Sequence, residues 1–204
     1  MDQKDYTDII PSQQTGWEVN AEAQKSFADA QTALSFFHIA KKRLLDVNHW
    51  QHMAGDAMAK FTLTNSNGDI LNRPAQKGDY FKIDIPGPGT VAGKGYDWVQ
   101  VEALDYITEP DMDVVAIRVR PTADPQQPGE GTAHFFSKDS TSTFTVRREG
   151  NKVFSSIHDR NARPNTEAEH ITDKVRNTAV ATGAITAFAK LQWQQLVDGI
   201  LKKD

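Results

Sequence analysis

Alternation of apolar and polar side chains through the middle of the chain constrains the fold more than any other feature. It is clearest in residues 79–85, where Phe81 and Ile83 share one face. In residues 97–107, Val99, Val101 and Ala103 share one face in the same way. Period two over many segments joined by short connections predicts an antiparallel sheet of about six or seven strands. The other predicted strands are residues 60–64, 114–120, 134–137, 143–148 and 152–160.

A long helix is predicted at the end of the chain. Thr166 and Glu169 have the spacing of a capping box, in which each side chain bonds the backbone amide of the other. No proline occurs in residues 167–202, and apolar or small side chains recur there at helical spacing. The sequence therefore predicts strands followed by a terminal helix, an α+β arrangement with the helix packed on one face of the sheet.

The N-terminal part is expected to be an extension followed by helices. Residues 1–19 carry three of the four net negative charges and few apolar side chains, so they are set apart from a single domain over residues 20–204. We expect a helix over residues 21–46, with Asn20 at its N-cap. A second, short helix over residues 47–54 should end at Gly55.

Composition excludes several classes of function. The 204 residues include no cysteine, which rules out disulfides, thiolate zinc sites, iron–sulfur clusters and a cysteine nucleophile. A cysteine-free chain fits a reducing compartment, so we expect a cytoplasmic protein. The net charge of −4 gives no basic field for nucleic acid, and no apolar run predicts a transmembrane segment. No cofactor is expected, and His49 and His52 lack the third ligand that a metal site needs.

The order of these elements resembles the START-like, or SRPBCC, helix-grip superfamily over about residues 34–202. Three features carry the resemblance: an Asp46-to-Trp50 passage between two helices, the hairpin over residues 143–160, and the capped helix that follows it. The family usually begins with a strand, for which residues 16–20 are a weak candidate. The resemblance implies a curved sheet that grips the C-terminal helix around an apolar cavity.

The terminal helix has its own indication of a cavity. Residues 178–187 are almost wholly small, so the helix can approach the sheet closely or leave space beneath it. Tight packing, a ligand-sized void and a second helix docked on this stripe all remain open. If a void exists, we expect a mixed lining from the sheet and the helix: Phe81, Ile83, Trp98, Phe144, Ala179, Thr182, Gly183 and Thr186.

Two acidic residues are added to this ligand-binding set. Alternation puts Asp159 on an apolar face with Ile157, which predicts a buried partner such as Arg118 or Arg120. Asp159 could then form a structural salt bridge, belong to an anchor for a ligand anion, or act as an acid or base. Glu102 is either a buried acid with a raised pKa or an ordinary surface carboxylate.

Three functions follow as hypotheses. The resemblance implies binding of a small hydrophobic or amphipathic ligand, such as a lipid, sterol, polyketide or aromatic compound. A cyclase- or hydrolase-like enzyme on the same scaffold would need Glu102, Asp159 or His158 in the cavity, and no catalytic residue is assigned. A protein-interaction or chaperone-partner module would use the apolar residues of the terminal helix, with a homodimer through that helix as one form: Phe188, Leu191, Trp193 and Leu196.

Overall fold

The computed structural model describes residues 9–86, 90, 92–165 and 179–203, with the backbone alone for residues 179–185. The elements follow in chain order: β1 Trp17–Ser26, α1 Ala30–Leu45, a 3-10 turn Val47–His49, α2 Trp50–Ala54, β2 Lys60–Thr64, β3 Tyr80–Asp84, β4 Asp97–Glu109, β5 Met112–Pro121, β6 Thr141–Glu149, β7 Lys152–Ala162 and α3 Ala179–Ile200.

The seven strands form one curved antiparallel sheet in the order β1-β7-β6-β5-β4-β3-β2. Strands β2 to β7 each pair with their neighbour in sequence, whereas β1 closes the far edge against β7. The turn between β6 and β7 contains Gly150, whose φ of 52° lies in the region that glycine adopts without strain. The predicted fold class, a curved antiparallel sheet with N-terminal helices and a C-terminal helix, is confirmed.

The helices pack on the concave face of the sheet around Trp50, which is fully buried. The Trp50 ring centroid lies 5.2 Å from that of Phe61, 5.6 Å from that of Phe81 and 4.8 Å from that of Phe144. The Trp50 indole N–H donates to the Leu44 carbonyl oxygen at 3.1 Å, which ties α2 to the end of α1. One apolar cluster therefore joins the helical layer to three strands.

The predicted helix over residues 21–46 was wrong in its first part. Residues 17–26 form β1, in which buried Val19 and Ala21 alternate with exposed neighbours, and α1 begins only at Ala30. Asp29, not Asn20, caps α1, and its carboxylate accepts from the Thr32 amide at 2.7 Å. Pairing with β7 gives this segment its backbone hydrogen bonds and overrides its helical propensity.

Residues before β1 bind to the sheet where the structure describes them. The Asn161 side-chain oxygen accepts from the amides of Gln14 and Thr15 at 2.8 and 3.1 Å. Arg118 donates to the Ile9 carbonyl oxygen at 2.9 Å. Part of the stretch predicted as an extension is therefore held against β5 and β7.

Helix α3 ends at Ile200, close to the predicted end at residue 202, whereas the predicted capping box lies outside the described residues. Gly199 lets α3 approach α2, since an added Cβ would lie 2.3 Å from the Met53 carbonyl oxygen. Arg43 donates to the carbonyl oxygens of Ile200 and Lys202 at 2.9 and 2.6 Å. These bonds satisfy carbonyls that the helix end leaves without partners, and they fix α3 across the sheet.

Candidate ligand cavity

A cavity of about 300 Å³ lies between the concave face of the sheet and α3. Seven aromatic side chains dominate its lining: Phe61, Phe81, Phe135, Phe136, Phe144, Phe188 and Trp193. Smaller apolar residues fill much of the remainder: Ala59, Ile83, Ile85, Pro86, Val99, Val119 and Ala189. Five polar residues complete the lining: Asp97, His134, Ser142, Asp159 and Gln192.

Strand periodicity explains which sheet residues reach the cavity. Second neighbours along a strand share a face, so β3 contributes Phe81 with Ile83 and β6 contributes Ser142 with Phe144. On α3, the lining residues follow the helical period: positions 188 and 189 recur one turn later as 192 and 193. The small side chain of Ala189 leaves room between the helix and the strands.

The segment between β5 and β6 forms the remaining wall. The Asp97 carboxylate accepts from the Phe135 amide at 3.1 Å, and His134 Nδ1 lies 2.9 Å from the Phe136 amide nitrogen. Phe136 also forms an isolated β-bridge with Pro164, which follows β7. Hydrogen bonds from backbone amides to the Asp97 and His134 side chains thus hold two phenyl rings at the cavity. The prediction of a short strand over residues 134–137 was wrong, since this segment has only the single bridge at Phe136.

Asp159 places a carboxyl group in this apolar lining. It is 4% exposed, and its two oxygens accept from the Ser142 hydroxyl at 2.6 Å and the Trp193 indole N–H at 2.7 Å. Burial raises the pKa of Asp159 to about 6, although these two hydrogen bonds and the charge of Arg160 act in the opposite direction. The cavity therefore contains an acid that titrates near neutral pH and joins β6, β7 and α3.

Gln192 places an amide in the same lining, and it is 2% exposed. Its Oε1 accepts from the Ala59 amide at 2.7 Å, whereas its Nε2 has no hydrogen-bond partner among the described residues. Because the Ala59 N–H requires an acceptor, the orientation of the side-chain amide is fixed and the NH2 group stays unbonded. A buried donor without a partner costs free energy, so an acceptor atom placed beside this NH2 group would stabilise the structure.

The structure brings together four of the ten predicted ligand-binding residues at the cavity: Phe81, Ile83, Phe144 and Asp159. Thr186 is partly buried on α3 but does not line the cavity. The side chains of Ala179, Thr182 and Gly183 lie outside the described residues. Trp98 and Glu102 lie on the opposite, convex face.

The position of Trp98 follows from the strand register. Trp98 is paired with Lys82, which alternates with the inward residues Phe81 and Ile83. Its neighbour Val99 lines the cavity, so Trp98 faces away from it. Lys82 stacks its ammonium 3.7 Å from the Tyr96 ring centroid and 6.0 Å from that of Trp98. Trp98 is thus buried by convex-face neighbours and has no access to the cavity.

Glu102 is an ion-pairing carboxylate on the convex face. It accepts from Arg118 at 2.5 Å and from Arg120 at 2.7 Å. Partial burial alone would raise the pKa of Glu102, but the hydrogen bonds from Arg120 and Arg118 outweigh it and hold the pKa below its ordinary value. The hypothesis of a buried acid with a raised pKa was wrong for this residue.

The prediction that Arg118 or Arg120 is the buried partner of Asp159 was wrong. Since Arg118 and Arg120 are bound to Glu102 on the other face, Asp159 pairs with uncharged donors instead. Its neighbour His158 also faces away from the cavity, 2.8 Å from the Asn20 side-chain oxygen. Burial and the charge of Arg160 lower the pKa of His158 to about 4, so this histidine is neutral at pH 7.

Sequence reasoning missed most of the lining from α3 and from residues 134–136. Phe188 and Trp193 were predicted for a partner surface on the terminal helix, and Gln192 was not among the predicted site residues. A signal was present for Gln192, because an amide on the apolar face of a helix must find partners inside the fold. The pairing with Ala59, 133 positions earlier, could not be seen in the sequence.

Within the described part of the chain, no group of three His, Asp or Glu side chains has the arrangement of a metal site. None of the helices there is long and apolar enough to cross a membrane.

Comparisons with known proteins give likeness of fold at low identity. A hypothetical protein from Helicobacter pylori aligns with a TM-score of 0.46 and 12% identity, over 90% of this chain and 87% of that one. A major latex-like protein from Panax ginseng aligns with a TM-score of 0.35 and 15% identity, over 84% of this chain and 97% of that one. A truncated norcoclaurine synthase from Thalictrum flavum aligns with a TM-score of 0.38 and 11% identity, over 95% of this chain and 100% of that one. No protein-family model and no curated protein matches the sequence.

Proposed function

We propose that this chain is a START-like binding module that holds a hydrophobic or amphipathic small molecule between the sheet and α3. One observation carries the proposal: a cavity of about 300 Å³ with seven aromatic side chains in its lining. Protein interiors normally fill to the density of organic crystals, so an unfilled pocket of this size against the core is unusual. Its volume lies at the lower end of small-molecule pockets, which favours a compact ligand.

The arrangement of the rings supports a ligand with a flat apolar body. The Phe144 and Trp193 rings meet at 89° with centroids 5.3 Å apart, and Phe61 approaches Trp193 at 6.1 Å. These ring contacts join α3 to β2 and β6 within the cavity lining. Aromatic walls offer both ring faces and ring edges, so a planar molecule can stack on one wall and meet the edge of another.

The competing hypotheses have less support. An enzyme would now depend on Asp159, because Glu102 and His158 lie on the convex face. Three of the four apolar residues predicted for a partner surface on α3 face the interior instead. Phe188 and Trp193 line the cavity, and Leu196 is fully buried. Of that set, Leu191 remains exposed, at 49%.

Native mass spectrometry of the full chain purified from cells tests the proposal directly. We expect a bound species heavier than the chain by the mass of one small molecule, which solvent extraction then releases. A chain that carries no such molecule, and that also fails to bind a small aromatic hydrocarbon such as naphthalene in solution, would contradict the proposal.

Filling the cavity should remove the ligand at little cost in stability. Val119 lies on β5 in the cavity lining and is 2% exposed. Val119→Phe directs a ring into empty space, so we expect the free energy of unfolding to change by less than about 1 kcal/mol while the bound mass disappears. Urea unfolding and native mass spectrometry measure the two effects.

Val115→Phe is the matched control on the same strand. Val115 shares the inward face and belongs to the same buried core as Val119, but it does not line the cavity, and it is fully buried. The added ring must displace neighbours there, so we expect a loss of about 1–3 kcal/mol. Equal losses in the two variants would mean that the space beside Val119 is not available to a ligand.

A further inference from the structure

The polar part of the cavity restricts which small molecules fit it, and Gln192 is the starting point. Its Nε2 carries two N–H donors, has no partner among the described residues and belongs to a side chain that is 98% buried in the cavity lining. An unpartnered buried donor costs free energy, which a ligand oxygen would recover by accepting a hydrogen bond. This arrangement favours a ligand that brings an acceptor.

The charges of the described lining residues disfavour an anionic ligand group. Asp97 and Asp159 both belong to the lining, and the lining that the structure describes contains no lysine or arginine. The arginines nearest in sequence to the cavity residues bind elsewhere: Arg118 and Arg120 pair with Glu102, and Arg160 donates to Asn20. A carboxylate or phosphate here would lose its hydration and meet carboxyl groups instead of cations.

A cationic ligand is also disfavoured by the hydrogen bonds present. Each oxygen of Asp159 already accepts from a protein donor, Ser142 or Trp193, so the carboxyl group is partly satisfied without a cation. An ammonium group has donors alone and would leave the Gln192 N–H groups unbonded. A neutral oxygen satisfies Gln192 and introduces no charge into an aromatic pocket.

We propose that the natural ligand is an uncharged molecule with a compact apolar body and a carbonyl or hydroxyl oxygen that accepts a hydrogen bond from Gln192 Nε2. This inference rests on the proposed function, because it names the ligand class of the same cavity. It separates neutral ketones, alcohols and phenols from fatty acids, phosphorylated lipids and amines.

A matched series of naphthalene derivatives tests the inference on the full chain. The probes are naphthalene, its methyl ketone, its carboxylate and its aminomethyl derivative, and isothermal titration calorimetry at pH 7 gives each dissociation constant. We expect the ketone to bind roughly three- to tenfold more tightly than naphthalene, the range of one neutral hydrogen bond. The carboxylate should bind at least about tenfold more weakly than the ketone, because its charge loses hydration and no cation among the described lining residues offsets that loss.

Gln192→Met links this preference to the named donor. Methionine keeps an unbranched side chain but offers no N–H, so the ratio of ketone to naphthalene affinity should fall to about one. Gln195→Met is the control, because Gln195 is exposed on the same helix and should leave the ratio unchanged. If Gln192→Met does not fold, Gln192→Glu replaces it at a pH where its side chain is ionised, since a carboxylate has no donor and can still accept from the Ala59 amide.

The outcomes separate the two proposals. If naphthalene binds but the ketone gains nothing, or if its advantage survives both Gln192 variants, the assignment of the oxygen to Gln192 is wrong while the binding function stands. Tighter binding of the carboxylate or of the aminomethyl derivative than of the ketone overturns the uncharged class. If no probe binds, the inference fails, and the proposed function fails with it when the purified chain also carries no small molecule.

Discussion

Replacing Trp50 with alanine is expected to lower the free energy of unfolding by about 3–5 kcal/mol, the range for removing a buried aromatic side chain. Trp50 is fully buried, and its ring contacts those of Phe61, Phe81 and Phe144, so the change leaves a void where the helices meet three strands. It also removes the donor to the Leu44 carbonyl oxygen. Urea unfolding followed by far-ultraviolet circular dichroism measures the loss.

Trp50→Phe is the control for this prediction. The smaller ring keeps most of the aromatic contact and removes the indole N–H, so a loss of about 1–2 kcal/mol is expected from one hydrogen bond and a little volume. If alanine cost no more than phenylalanine, Trp50 would not be the centre of the core.

The sheet could be predicted from the sequence because one face of most strands is buried against the helices. In β3, Phe81 and Ile83 alternate with Lys82 and Asp84, and the observed strand lies within one residue of the predicted bounds at each end. β1 was missed because its buried positions, such as Val19 and Ala21, are small and its polar positions fit a helix equally well. Its pairing with β7 is a contact across more than 120 positions.

The candidate site was less predictable, because alternation does not say which face of a strand is concave. Trp98 was predicted in the cavity together with Phe81 and Ile83, but its neighbour Val99 is the residue of that strand that faces inward. Glu102 lies beside an irregularity of register between Val101 and Ala103, and its two arginine partners come from the adjacent strand. Pairing between distant segments decides both positions, and a local pattern contains no information on it.

The stability contributed by Asp159 should fall as the pH rises from about 4 to about 6. Burial raises the pKa of Asp159 in the folded chain to about 6, above its ordinary value of 3.8. Between these two values the folded state binds a proton that the unfolded state has released, so raising the pH favours unfolding. A shift of about two units corresponds to roughly 3 kcal/mol, fully present below pH 4 and lost above pH 7.

Asp159→Asn separates this effect from that of every other carboxyl group. The asparagine oxygen can accept from the Trp193 indole and its NH2 can donate to the Ser142 hydroxyl, so the variant mimics the protonated acid at every pH. We expect equal unfolding free energies near pH 4 and a variant that is more stable by roughly 2–3 kcal/mol at pH 7, measured by urea unfolding at each pH. A difference that did not change with pH, or a variant less stable than the native chain at pH 7, would mean that the folded protein stabilises the carboxylate rather than the neutral acid.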